Sequence, residues 1–108
     1  MSKDVLGGFE HRVLLVVLQI GEGAYTAAVV EELERRTGRQ AAPAAVYIAM
    51  QRLEKRGLLR SAVRTDPAAG DRRPRRYFRA TPEAIEVLGE ARRELTALWT
   101  GLELQGEG

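Results

Sequence analysis

Two groups of residues carry the chemistry this sequence can do. Gln51, Arg52 and Lys55 lie within five positions of one another, and Arg72, Arg73, Arg75 and Arg76 crowd around a single proline, Pro74. Guanidinium and ammonium groups neutralise oxyanions, and a carboxamide offers a donor and an acceptor side by side. Together they suit recognition of a polyanion whose surface also presents hydrogen-bonding edges. The charge distribution points the same way. From Arg52 to Arg79 the bases Arg52, Lys55, Arg56, Arg60, Arg64, Arg72, Arg73, Arg75, Arg76 and Arg79 face the acids Glu54, Asp66 and Asp71 alone. The preceding residues are close to neutral and the following ones acidic, so a net charge of +2 conceals a basic central block.

The elements that must position these groups follow from spacing. In residues 43–59, PAAVYIAMQRLEKRGLL, a turn of about 100° per residue puts Val46, Ala49, Met50 and Leu53 on one face and Ala44, Ile48, Gln51 and Lys55 on the other. Pro43 suits a first helical position and Gly57 a left-handed stop. Beyond it, Leu59, Ser61, Val63 and Thr65 alternate with Arg60, Ala62 and Arg64, the period of a strand. Residues 66–71, DPAAGD, read as a turn, and residues 75–80, RRYFRA, as a second strand. The expected hairpin carries the four arginines at its tip.

Upstream, residues 9–20, FEHRVLLVVLQI, predict a core helix that is apolar nearly all round in its later turns. Gly21-Glu22-Gly23 has no strand before it, so a helix-ending turn is favoured over a phosphate loop. Thr26 is expected to cap a second helix over residues 27–37, with Val29, Val30 and Leu33 buried and Glu31/Arg35 and Glu32/Arg36 paired outside. Downstream, Thr81-Pro82-Glu83 is a helix start, and the last helix is expected to reach Leu102. Its apolar stripe, Ile85, Leu88, Leu95, Trp99 and Leu102, widened by Ala84, Ala91 and Leu98 and broken by Arg92, is broader than one small core requires. Residues 103–108 are expected to fray.

Composition sets bounds. A chain of 108 residues suits one modest core. Without cysteine there is neither a disulfide framework nor a thiolate metal site. The apolar run at 13–18 is too short to span a bilayer, and the first eight residues lack a signal-peptide layout. A cytoplasmic protein is the expectation. His11, the lone histidine, reads as a boundary residue, and Glu83, Glu86, Glu90 and Glu94 as a solvated face in preference to a metal site. No P-loop or HExxH is present, and neither serine, Ser2 or Ser61, sits in a nucleophile elbow. Neither catalysis nor a cofactor is expected.

Three helices, a basic hairpin and a further helix follow the order of a winged helix-turn-helix, a mainly α, α+β fold. The sequence resembles the PadR family of bacterial transcriptional regulators over about Leu6 to Ala84. The resemblance rests on VYIAMQRLEKRGLL and RRPRRYFRATPEA, where Tyr47, Arg52, Leu53, Glu54, Gly57, Pro74, Arg75, Tyr77, Arg79 and Thr81 match the family pattern. Departures are Ala42, Ala44 and Ala45 in place of polar or small residues at the helix start, Ile48 in place of a proline, and Arg73 just before Pro74. A winged helix of another family, such as MarR-like, would leave the mechanism nearly unchanged.

The resemblance implies a DNA-binding domain over residues 1–80 and a dimerisation helix with tail over 81–108. It implies a homodimeric regulator, most simply a repressor, on a pseudo-palindromic duplex. Thr26, Tyr47, Gln51, Arg52, Lys55, Arg72, Arg73, Arg75 and Arg76 are the expected DNA contacts. Gln51 would read adenine, Lys55 or Arg52 guanine, and the wing arginines phosphates or a minor groove. Ile85, Leu88, Leu95, Leu98, Trp99 and Leu102 are the expected dimer interface. Trp99 has an interface role and a sharper one, lining a pocket for a planar apolar effector. The rival expectation is a winged helix whose basic hairpin docks an acidic protein partner.

Overall fold

The computed structural model describes residues 6–65 and 73–104. Its elements are α1 (Gly8–Ile20), a 3-10 turn (Gly21–Gly23), α2 (Thr26–Thr37), α3 (Pro43–Lys55), β1 (Leu59–Arg64), β2 (Arg75–Ala80) and α4 (Pro82–Trp99). The strands pair antiparallel, from Leu59 opposite Ala80 to Arg64 opposite Arg75. The fold is the expected winged helix-turn-helix.

The core forms where apolar stripes converge. Val13, Leu14, Val16 and Val17 of α1, Val29 and Leu33 of α2, and Val46, Ala49, Met50 and Leu53 of α3 meet Leu58, Leu59 and Phe78 of the hairpin and Ala84 and Leu88 of α4. The periodicity read for α3 therefore gives its buried face. Val30 is only partly buried, at the edge of the cluster. A backbone bond from the Phe78 amide to the Ala24 carbonyl (2.8 Å) fastens β2 to the segment entering α2.

Four expectations are corrected. Thr26 is the first helical residue of α2; Tyr25 holds the cap position, in extended backbone, and makes no side-chain cap bond. Arg35 turns to Glu32, one turn back, and not to Glu31; Arg36 meets the same carboxylate. Bonds from Arg35 and then Arg36 hold the Glu32 carboxyl below its ordinary range. In α1 the helix is not buried all round, since Leu15 and Leu18 stay exposed. Finally, α4 ends at Trp99, and Gly101 turns the chain with φ 84°, so Leu102 lies past the helix.

Thr81 is the joint between wing and α4. Its hydroxyl accepts from the Ala84 amide (3.3 Å) and donates to the Gly57 carbonyl (2.7 Å), while its own amide donates to Leu58 (3.1 Å). Gly57, at φ 80°, makes the turn that brings that carbonyl within reach. Thr81→Ala removes a helix cap and a buried partner together and is expected to cost about 2 kcal/mol. Thr81→Ser, which keeps the hydroxyl, should recover most of it; urea unfolding of both variants is the check.

Candidate nucleic-acid interface

With one face of α3 buried, the other is left to solvent. Ile48, Gln51, Arg52 and Lys55 are exposed along it and line one shallow surface depression with Glu54. Arg52, on α3, and Arg56, which caps its C-terminal end, are not directed wholly outward. Arg56 reaches Glu10 of α1 at 3.4 Å and Arg52 approaches the same carboxylate at 4.0 Å, so both also tie α3 to α1. Gln51 and Lys55 remain as the polar groups projecting from the middle of the exposed face. Tyr47 is half-buried, its ring edge-on to Phe78 at 6.3 Å, which places it at the border of that face.

Pairing decides which wing side chains share a side. Residues directly opposite in the register lie on one face. Leu59, Ser61, Val63, Arg76, Phe78 and Ala80 therefore face the core and α3, and Arg60, Ala62, Arg64, Arg75, Tyr77 and Arg79 face away. Two like-charged pairs, Arg60 with Arg79 and Arg64 with Arg75, stand directly across from one another, an arrangement that costs stability unless other contacts relieve it. Near the wing tip such contacts exist. The Arg64 guanidinium lies 3.8 Å from the Tyr77 ring centre and donates to the Glu22 carbonyl (2.8 Å). The Arg75 guanidinium lies 4.4 Å from the Tyr25 ring, and the two tyrosines meet edge to face at 5.5 Å. This stack explains why Tyr77, on the outward face, is buried.

Of the expected contacts, the structure brings Gln51, Arg52 and Lys55 onto α3's open face and Arg75 and Arg76 onto the two faces of the wing. Arg73 is exposed at the approach to β2, and Arg72 lies outside the described residues. Thr26, half-buried at the start of α2, has its side chain free of capping. Arg60, Arg64 and Arg79, outside the expected contacts, complete the cationic outer face of the hairpin. The signal was present in the alternation of RRYFRA, which sets Arg75, Tyr77 and Arg79 on one side.

A separate surface is apolar. Leu15 and Leu18 of α1 and Ile85, Leu88, Leu95 and Trp99 of α4 line an open groove of about 730 Å³, with His11, Gly89, Arg92 and Thr96 at its borders. Leu88 is buried in the domain's own core, whereas Ile85, Leu95, Leu98 and Trp99 are each at least half exposed.

Residues 14–90 match the family model described as transcriptional regulator PadR-like family. The chain belongs to that family. Among solved structures, a PadR family transcriptional regulator from Eggerthella lenta is 34% identical, over 86% of this chain and 82% of that one, with a TM-score of 0.67. A PadR-like regulator from Bacillus cereus is 21% identical, covering 92% of this chain and 93% of that one at a TM-score of 0.73. A PadR family regulator from Clostridium difficile is 19% identical, covering 84% and 91% at 0.68. The last two establish agreement of fold. No curated protein matches the chain. Regulation of transcription is the business of the PadR-like family. Among the described residues no group of acidic or histidine side chains is arranged to hold a metal, and no helix is long and apolar enough to cross a membrane.

The tyrosine and arginine stack is testable without a ligand. Tyr25→Ala should lower stability by about 1–2 kcal/mol. It should also speed hydrogen exchange at the Phe78 amide more than at Leu14 in α1, measured by NMR.

Proposed function

We propose that two copies of this chain join through α4 and grip duplex DNA, each inserting the exposed face of α3 in a major groove and laying its wing along the flanking backbone. The observation that carries this reading is the joining of an amide and cations on α3's open face to an arginine-bearing hairpin by one shared core. Gln51 suits bidentate pairing with adenine, and Lys55 and Arg52 suit guanine. Arg72, Arg73, Arg75 and Arg76, with Tyr47 and Thr26 at the borders, serve the phosphates. Such contacts supply affinity and salt dependence, while sequence choice rests on α3.

Pairing of copies is supported by the apolar groove. Exposed Ile85, Leu95 and Trp99 beside Leu15 and Leu18 form a patch of the kind that marks an interface, and Leu98 is exposed on the same helix. Leu102 is exposed past the end of the helix, and Leu88, buried in the core, also lines the groove. Two-fold pairing would set the recognition helices about 34 Å apart, on a pseudo-palindrome. A dimer sitting on its operator excludes polymerase from the same stretch with no additional contact, so the regulator acts as a repressor in the cytoplasm. The groove is also of a size that suits a small ligand, and Trp99 supplies a flat wall, so a planar apolar effector entering there would bias the dimer geometry and release the DNA.

Mobility-shift titrations at two salt concentrations test the DNA reading, and fragments selected from a random pool supply the preferred site. Affinity should fall steeply with salt, and Arg73→Ala with Arg76→Ala should reduce the logarithmic slope by roughly 1–2. Gln51→Ala should erase the preference at one position of the selected site by about 1–3 kcal/mol and leave binding to unrelated duplex nearly unchanged. Absence of binding at low salt, with capture of an acidic protein through the wing, would favour the protein-docking alternative. Leu95→Glu places a charge in the proposed dimer seam; sedimentation should then show a folded monomer where the unaltered chain shows a dimer.

A further inference from the structure

Between α3 and the wing lies a three-residue chain of hydrogen bonds that the contacts above do not use. Glu54 sits on the last turn of α3 and is half-buried. Both its carboxylate oxygens lie within bonding distance of the Ser61 hydroxyl, at 3.0 and 2.9 Å. The hydroxyl has one hydrogen, which it donates to the carboxylate; its lone pairs accept from Arg76 Nη1 at 2.9 Å. Register explains the meeting. Ser61 is opposite Phe78, whose ring enters the core, and Arg76 is two residues along β2 on that same face. A cation, a hydroxyl and a carboxylate thus link β2, β1 and α3 in series, charge-assisted at both ends.

We propose that Ser61 is a positioning residue that holds Arg76 of the wing at a fixed reach from Gln51 and Lys55 of α3, so that phosphate and base contacts are made in one geometry. The proposal rests on the DNA reading above for its consequence, but not for the relay itself. An arginine on an exposed strand otherwise samples many rotamers, and ordering it on binding costs entropy. The relay does that ordering beforehand. Serine suits the place because its hydroxyl sits one bond from Cβ: alanine leaves the carboxylate without this donor, whereas threonine keeps it.

The experiment is a double-mutant cycle on a mixed-sequence duplex at low salt, using Ser61→Ala, Ser61→Thr, Arg76→Ala and the Ser61→Ala/Arg76→Ala pair, each shown folded by circular dichroism. Ser61→Ala should weaken binding roughly three- to tenfold, and the pair should bind no worse than Arg76→Ala alone. Ser61→Thr should stay within about twofold of the unaltered chain. Losses that multiply in full, a Ser61→Thr variant as weak as Ser61→Ala, or an unchanged Ser61→Ala would each overturn the proposal. If Ser61→Ala does not fold, Ser61→Cys, whose thiol is a weak donor and weak acceptor, takes its place in the cycle with the same expectations. If the unaltered chain binds no duplex at all, the DNA reading fails by itself, and the relay is decided in the free protein. There the Arg76 Nε–Hε resonance should be sharp and should move in Ser61→Ala and in Glu54→Gln; a resonance indifferent to both variants would overturn it.

Discussion

The burial of Phe78 is the contact on which the arrangement depends. Its ring is almost wholly enclosed and makes a T-shaped contact with Tyr47 of α3, and its amide is bonded to Ala24 ahead of α2. A two-stranded hairpin is marginal in water unless one face is packed on something else. Here Phe78 and Leu59 supply that face, so the wing is an extension of the helical core and not an appendage. Because the same ring packs beside α3, that helix and the wing cannot be displaced independently. Any polyanion that touches both meets a surface of set shape.

Three further ties act at different heights of the hairpin. At its base Thr81 joins the turn after α3 to the start of α4. In the middle Ser61 links the strands to Glu54. Toward the tip Arg64 and Arg75 lie on Tyr77 and Tyr25. Each uses a charged or polar side chain whose partner is supplied by a different element. The charges of the wing therefore hold its shape as well as offering themselves to a ligand, and substitutions there will combine both effects.

Much of this was legible in the sequence because the signals were periodic. Val46, Ala49, Met50 and Leu53 announced the buried face of α3, and Thr81-Pro82 announced the start of α4. The strand alternation placed Leu59 and Ser61 on one side. What was not legible depended on tertiary partners. Thr26 looked like a cap, but the chain enters α2 through Tyr25, whose ring is needed beside Tyr77 and Arg75. Arg35 had Glu31 one full turn back and chose Glu32, which it shares with Arg36. Leu15 and Leu18 read as core because periodicity reports apolarity and not what covers it; here α4 leaves them open. The helix predicted to Leu102 stops at Trp99, where Gly101 takes a left-handed turn. Arg52, read as a base contact, also leans toward Glu10, a neighbour forty-two positions away in sequence.

An amide chemical-shift map of the isotopically labelled chain, titrated with duplex DNA at low salt, tests most directly whether recognition helix and wing form one surface. Shifts should concentrate at Ile48, Gln51, Arg52 and Lys55 and along Arg73 to Arg76, moving together at one stoichiometry, with Leu15, Leu18 and Leu95 little affected. Perturbation centred on the groove between α1 and α4, or titration of α3 and the wing at different stoichiometries, would contradict a single DNA-binding face.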